Sequence, residues 1–358
     1  MKKVLLAAGG TGGHMFPAQS LAEILKARGW EVALMTDARG QRHSGRIPAD
    51  LIIEVQAASI SPRKPIQAMK GALKLAKGVR QAKRFLQDWK PDIVVGFGGY
   101  PAFPAMRAAQ SVGLPTILHE QNAVLGRVNR VFAAKATHVV SGFEVLEKVS
   151  SKANVQCLGN PMRAQIADAV PGKYVVPTET INLLCVGGSL GARVLSQTIP
   201  KAIAILPQET RKRLKVVQQT TEGEVATARA AYADMGVDAI CETFFSDVET
   251  HLAKAHFVIA RAGASSVSEI ALMGKPSLLI PLEIAMDDHQ TINAQSLERH
   301  GAADILPESE FTPEAVANIL QDRLNDSNWL SSAAASARTL GRPNAARDLA
   351  QLVITTLT

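Results

Sequence analysis

Residues 9–13 read Gly-Gly-Thr-Gly-Gly, and the next side chain is His14. Glycines at that density let a backbone turn tightly and approach another group without Cβ atoms in the way. The apolar run Val4-Leu-Leu-Ala-Ala8 before them reads as a short buried strand. Pro17 with the Leu21, Ile24, Leu25 spacing reads as a helix that Gly29 stops. Strand, glycine loop and helix in that order present free N–H groups and a positive dipole end to an anion, often a phosphate. His14 stands beside that anion; the dipole favours a neutral imidazole, which can take up a proton. A glycine-rich packing turn with His14 as a cap accounts for the same residues. The spacing is not G-x-G-x-x-G, because Met15 occupies the last position, and no Gly-Lys-Ser/Thr follows to make a Walker A loop.

The theme recurs. The run from Ile181 to Val186 is strand-like, "GGSLGAR" follows from Gly187, and a helical pattern starts at about Val194. Apolar run, Gly-Gly, hydroxyl residue, one residue and Gly come in the same order in both copies. Two such units suggest two similar α/β domains, each opening with an anion-binding loop, and favour that reading over the packing turn.

Further polar groups sit where strands are expected to end. "GFGGYPAFP" after a buried strand allows close approach of a ligand or helix, and "LHEQN" puts His119, Glu120, Gln121 and Asn122 together just past another. In "ARAGASSVSE" a small-residue loop, 262–266, can offer backbone N–H groups to phosphate or sugar. Glu269 lies one turn into the next helix, where a carboxylate can accept both hydrogen bonds of a ribose diol or serve as a favourable first-turn charge. "MDDHQTINA" brings Asp287, Asp288, His289, Gln290 and Asn293 to another helix start. No D-x-D pair occurs, so a divalent metal clamped by one is not indicated, and no cofactor is expected.

The elements that must position these groups follow from the apolar periodicity. Strands are expected at 31–36, 93–97, 116–118 and 138–140 in the first half, and at 215–219, 257–260 and 277–280 in the second, with helical patterns between. Each half therefore reads as a doubly wound parallel sheet, and ligands bind at the carboxyl ends of such strands. The expected domains are 1–160 and 161–340, joined through the proline-rich stretch 159–180. A last helix within 341–358 is expected to pack back on the first domain.

The chain has 358 residues, enough for two cored domains, and 47% hydrophobic content with 26 Gly and 18 Pro suits an α/β enzyme. Its three cysteines, Cys157, Cys185 and Cys241, are scattered, which fits a reducing cytoplasm. Lys2-Lys3 precede too short an apolar run for a secretory signal, and the longest charge-free central run, 14 residues, is too short to span a membrane.

Charge is uneven. Residues 1–163 carry 23 Lys/Arg against 10 Asp/Glu, net +13, and the remainder is net −6. Between Ser61 and Pro91 lie nine Lys/Arg and only Asp88, interleaved with Ile66, Met69, Leu73, Val79, Phe85 and Trp89. A basic helix with an apolar stripe suits an anionic membrane surface or acidic partner; a core-facing helix with a solvated basic face is the alternative. Nucleic acid is not indicated: aromatics total 4% and no recognised motif appears.

Taken in order, "GGTGGHMFPA", "GFGGYPAFP", "LHEQNAVLGRVNR", "GNPMR", "CVGGSLGAR", "ARAGASSVSE" and "DDHQTINA" closely resemble the MurG family of peptidoglycan glycosyltransferases, glycosyltransferase family 28. The likeness runs from about Val4 to Ala302. It implies a GT-B fold, two Rossmann-like domains facing across a cleft. It also implies inverting transfer of N-acetylglucosamine from UDP-N-acetylglucosamine to the C4 hydroxyl of the N-acetylmuramyl group of lipid I, giving lipid II. Family members act as peripheral proteins on the cytoplasmic side of the inner membrane.

Position by position, the resemblance implies donor contacts from Thr11, Gly12, Gly13, Asn122 and Arg163, and a donor phosphate contact from Ser189. Phe245 aligns with the residue whose backbone reads uracil. Ala264, Ser265, Ser266, Val267, Ser268 and Glu269 would hold ribose, phosphate and sugar, and Gln290 the sugar. Phe245 is bulkier than the aliphatic residue expected there, and Ala262 with Ser265-Ser266 departs from the family's small-residue loop. Single-step inversion needs a general base and no covalent nucleophile, and His14 is the candidate. A GT-B UDP-sugar 2-epimerase remains an alternative that release of UDP in response to a lipid acceptor would separate. A nicotinamide oxidoreductase predicts the missing G-x-G-x-x-G, and a non-enzymatic membrane-binding module leaves both glycine loops without a role.

Overall fold

The computed structural model describes residues 1–10, 12–40, 47–58, 65–188 and 191–358. The chain divides into two compact units, one of residues 1–164 with 342–358 and one of residues 165–341.

Among the described residues, the first unit is built on a seven-stranded sheet in the order β3-β2-β1-β4-β5-β6-β7. These are β1 Lys3–Ala7, β2 Glu31–Thr36, β3 Leu51–Glu54, β4 Ile93–Gly96, β5 Thr116–Glu120, β6 His138–Ser141 and β7 Val155–Cys157. All pairs are parallel. The unbroken apolar run of β1 has a direct cause: its alternate side chains feed two cores. Val4 and Leu6 pack with Leu21 and Leu25 of the helix Gly12–Ala27, whereas Leu5 and Ala7 pack on the opposite face with Ala105, Met106 and Ala109 of the helix Ala102–Ser111. A parallel strand covered by helices on both faces has no polar side to show. The helix Ala345–Thr355 belongs to this unit, and its Leu349, Ala350 and Val353 share the core of Leu21 and Leu25.

The second unit repeats the plan with a six-stranded parallel sheet, order β10-β9-β8-β11-β12-β13. Its strands are β8 Ile181–Val186, β9 Leu214–Gln219, β10 Asp238–Glu242, β11 Phe257–Arg261, β12 Ser277–Ile280 and β13 Ala303–Ile305. Each unit is thus a Rossmann-like doubly wound domain, as expected.

Two helix starts differ from the sequence reading. The first helix begins at Gly12, five residues before Pro17, which lies inside it. Burial of Met15, Ala18, Leu21 and Ala22 holds the helix on the sheet through its glycine-rich first turn, so packing overrides poor propensity. Likewise the segment expected as a loop at 262–266 is helical from Ala264, behind an extended Gly263 (φ −64°, ψ 146°). Glu269 consequently lies beyond the first turn of that helix rather than in it.

The basic segment forms the helix Pro65–Trp89; residues 61–64 lie outside the described residues. The structure divides its apolar stripe. Leu75, Ala82 and Leu86 face the core with Phe85 and Trp89 packed beside them, whereas Met69 and Leu73 are 62% and 66% exposed among the exposed Lys70, Lys74 and Lys77. No helix among the described residues is long and apolar enough to cross a membrane.

Candidate active site

In the first unit the strand order reverses at β1 and β4, and the crevice outside the carboxyl ends of such strands is where doubly wound sheets take ligands. The turn leaving β1 is laid on the turn leaving β4: the Gly9 N–H donates to the Gly98 carbonyl at 3.1 Å. Gly98 and Gly99 have φ of +88° and +75°, and a Cβ on Gly99 would stand 2.8 Å from the Cα of Gly9. A Cβ on Gly9 would lie 3.0 Å from His14 Cδ2, and one on Gly98 3.5 Å from His14 Cε1. The glycines of both turns therefore form a slot for the His14 ring, and only residues without side chains could line it so closely.

The polar group after β5 is arranged differently from expectation. His119 and Glu120 are the last residues of the strand, 0% and 2% exposed, because the sheet extends two residues beyond the apolar run. Glu120 organises the following turn. Its Oε1 accepts from the Asn122 N–H (3.2 Å) and Nδ2 (3.3 Å), and its Oε2 from the Gly126 N–H and Asn129 Nδ2, both at 2.8 Å. Gln121 then reaches His14: its Oε1 lies 3.0 Å from His14 Nδ1 and its Nε2 3.1 Å from His119 Nδ1. His119 Nε2 sits 3.1 Å from the Gly159 carbonyl. Burial pushes the His119 imidazole down from its ordinary value near 6.5 to about 4, so the ring is neutral at neutral pH.

Of the candidate donor contacts in this unit, Gly12 and Gly13 form the first helical turn beside His14, and Asn122 follows the Gln121 that touches His14. Arg163 stacks its guanidinium on the Phe16 ring, 5.0 Å from the centroid, on the same helix. Ser20 Oγ fixes that approach by donating to the Met162 carbonyl at 2.9 Å. The described candidates of this unit therefore gather around one helix N-terminus. Thr11 lies outside the described residues.

In the second unit the reversal falls between β8 and β11, where Gly187 and Gly188 leave one strand and the helix Ala264–Met273 follows the other. Val267 N–H makes the 3.0 Å bond to the Gly263 carbonyl, and the N–H groups of Ala264, Ser265 and Ser266 precede it at the positive end of the helix. The Val267 side chain itself is wholly buried. Ser268 and Glu269 are carried on the same helix. Asn293 Nδ2 donates to the Ala262 carbonyl at 3.1 Å, tying the helix His289–Glu298 to this turn, and Gln290 Oε1 accepts the Leu282 N–H at 3.0 Å. Asp287 and Asp288, just before that helix, both take left-handed backbone conformations (φ 58° and 54°). Phe245 turns its ring inward, edge-on to His251 with centroids 5.0 Å apart, so its bulk is absorbed in the protein. Ser189 lies outside the described residues.

One organising residue carried no sequence signal. Gln219, at the end of β9, accepts the Gly187 N–H at 3.1 Å and donates to the carbonyls of Gly188 (3.0 Å) and Thr243 (3.1 Å). It joins the glycine turn to the segment bearing Phe245, a link visible only once β9 lies between β8 and β10. No group of three or more His, Cys, Asp or Glu among the described residues could hold a metal ion.

Both halves match glycosyltransferase models: residues 4–141 the family 28 N-terminal domain and residues 182–353 the family 28 C-terminal domain. The chain belongs to glycosyltransferase family 28, and it is a glycosyltransferase of GT-B fold. It is 50% identical, over 98% of its length and 97% of the relative's, to the UDP-N-acetylglucosamine--N-acetylmuramyl-(pentapeptide) pyrophosphoryl-undecaprenol N-acetylglucosamine transferase of Maricaulis maris. Identity to the protein of the same name from Caulobacter vibrioides is 45%, over 98% of both chains. The crystal structure of Acinetobacter baumannii MurG superposes with a TM-score of 0.82 at 31% identity, over 99% of this chain and all of that one.

Proposed function

We propose that the chain transfers N-acetylglucosamine from UDP-N-acetylglucosamine to the C4 hydroxyl of the N-acetylmuramyl group of lipid I, releasing UDP and lipid II. The observation that carries this reading is the end-to-end likeness to relatives named for that transfer. The local geometry supports it. UDP leaves with added negative charge, which the first-turn N–H groups of Ala264, Ser265 and Ser266 and the glycine turn at Gly187 are suited to receive without a metal. Ser189, Phe245, Val267, Ser268, Glu269 and Gln290 complete the donor contacts in the second unit, and Thr11, Gly12, Gly13, Asn122 and Arg163 supply those of the first. His14 takes the proton of the attacking hydroxyl as general base.

The acceptor is a lipid-linked pyrophosphate, so the enzyme works at the cytoplasmic face of the inner membrane as a peripheral protein. Exposed Met69 and Leu73 among Lys70, Lys74 and Lys77 give the helix Pro65–Trp89 an apolar anchor framed by cations, the combination an anionic leaflet attracts. The test is UDP release from UDP-N-acetylglucosamine with and without a lipid I analogue: release must depend on the acceptor. His14→Ala is expected to lower turnover by ~10²–10⁴ with UDP affinity nearly unchanged; near-normal turnover would remove His14 as the base.

A further inference from the structure

We infer that Gln121 and His119 are positioning residues that lock His14 in the one neutral tautomer able to act as a base, the proton on Nδ1 and the lone pair on Nε2. The inference rests on the proposed role of His14 and adds how the protein prepares that role.

The assignment follows from one fixed acceptor. The Gly159 carbonyl, 3.1 Å from His119 Nε2, can only accept, so Nε2 carries a hydrogen. His119 is buried and neutral, so its Nδ1 carries none and is an acceptor. The Gln121 atom 3.1 Å from that Nδ1 must then be the amide NH₂, which turns Oε1 toward His14. A carbonyl-type oxygen 3.0 Å from His14 Nδ1 requires a hydrogen on Nδ1. In the neutral ring the lone pair then falls on Nε2. Each step permits one arrangement only, and the chain of assignments starts from a backbone carbonyl that cannot titrate.

The rest of the surroundings hold the amide and ring in place. Asn160 Nδ2 donates to the Gln121 backbone carbonyl at 2.9 Å, fixing the turn, and the Phe97 ring lies 5.7 Å from that of His119. The slot of Gly9, Gly98 and Gly99 presents backbone to the His14 ring and brings no charge to it. His119 is a titratable neighbour of His14, linked to it through Gln121, and burial keeps it neutral. The arrangement is a relay of hydrogen bonds that sets a tautomer, the role that a buried carboxylate plays in other histidine bases.

The decisive measurement is the ¹⁵N spectrum of histidine-labelled full-length protein, with His14→Ala used to assign the resonances. The neutral His14 ring of the intact chain is expected to show Nδ1 protonated and Nε2 unprotonated. Gln121→Met keeps the side-chain volume and removes the amide's contacts with both histidines. It should convert His14 to a mixture of tautomers, lower kcat at least about 10-fold and move the acid limb of the pH–rate profile, while the KM for UDP-N-acetylglucosamine stays within about 2-fold. His119→Leu should give the same spectral change through loss of the amide's anchor. A His14 resonance protonated on Nε2 in the intact chain, or an unchanged tautomer in Gln121→Met, overturns the inference. Near-normal turnover in His14→Ala instead overturns His14 as base, and the spectra distinguish that failure from failure of the relay.

Discussion

Gln219 accepts the Gly187 N–H on its Oε1 at 3.1 Å, and the same amide donates to the Gly188 carbonyl at 3.0 Å. One side chain thus holds both faces of the glycine turn at the reversal point of the second sheet. Gln219→Leu removes the side-chain partner of these half-buried backbone groups, at about 0.5–1.5 kcal/mol for each hydrogen bond lost. UDP affinity is expected to fall by a similar amount because the turn is no longer preset. Titration calorimetry with UDP, alongside a thermal melt, checks this: a lower melting temperature with unchanged affinity would mean that the turn does not touch the donor.

Gly99→Ala tests the histidine slot. The new Cβ would stand 2.8 Å from the Gly9 Cα, and the residue must keep φ near +75°. Backbone cannot swing aside as a side chain can, and the left-handed conformation alone costs ~1 kcal/mol or more. The variant is expected to lose stability and turnover together while UDP still binds. Turnover equal to the parent's would show that the ring does not depend on the slot.

Membrane attachment separates into two variants of the helix Pro65–Trp89. Reversing the charges of Lys70, Lys74 and Lys77 should weaken sedimentation with anionic vesicles by ~1 kcal/mol per residue, in a salt-dependent way. Replacing exposed Met69 and Leu73 by Ser should weaken it irrespective of salt. Activity on a short-chain soluble acceptor is expected to survive both. Unaltered sedimentation in both would leave this face a solvated helix surface.

His119 makes stability depend on pH. Its folded value, about 4, lies below the unfolded 6.5, so between them the unfolded chain binds the extra proton. Stability is therefore fully present above pH 6.5 and falls as the pH drops toward 4, by ~3 kcal/mol from this group. Urea unfolding of the chain and of His119→Gln across that range should show a flatter acid limb in the variant.

The sequence alone determined the interior of both sheets. β1, β2, β4, β5 and β6, and β8, β9, β11 and β12, each lie within about two residues of the expected spans, because a strand buried on both faces is apolar throughout. It also determined where the glycine turns lie and, through seven ordered motifs, the family. The strands it did not disclose are β3, β7, β10 and β13, which are the four outermost strands of the two sheets. They are three to five residues long, and most of their side chains are exposed or half-buried. Apart from Leu51-Ile-Ile53 in β3, no apolar run marks these strands; the backbone hydrogen bonds offered by the neighbouring strand decide them. The site divides in the same way. His14 was legible from its glycines, yet the slot that holds it joins Gly9 to Gly98 and Gly99, and the amide that orients it comes from Gln121, 107 residues away. Chain periodicity reports which face a residue buries, and it carries no record of which distant turn will be laid against it.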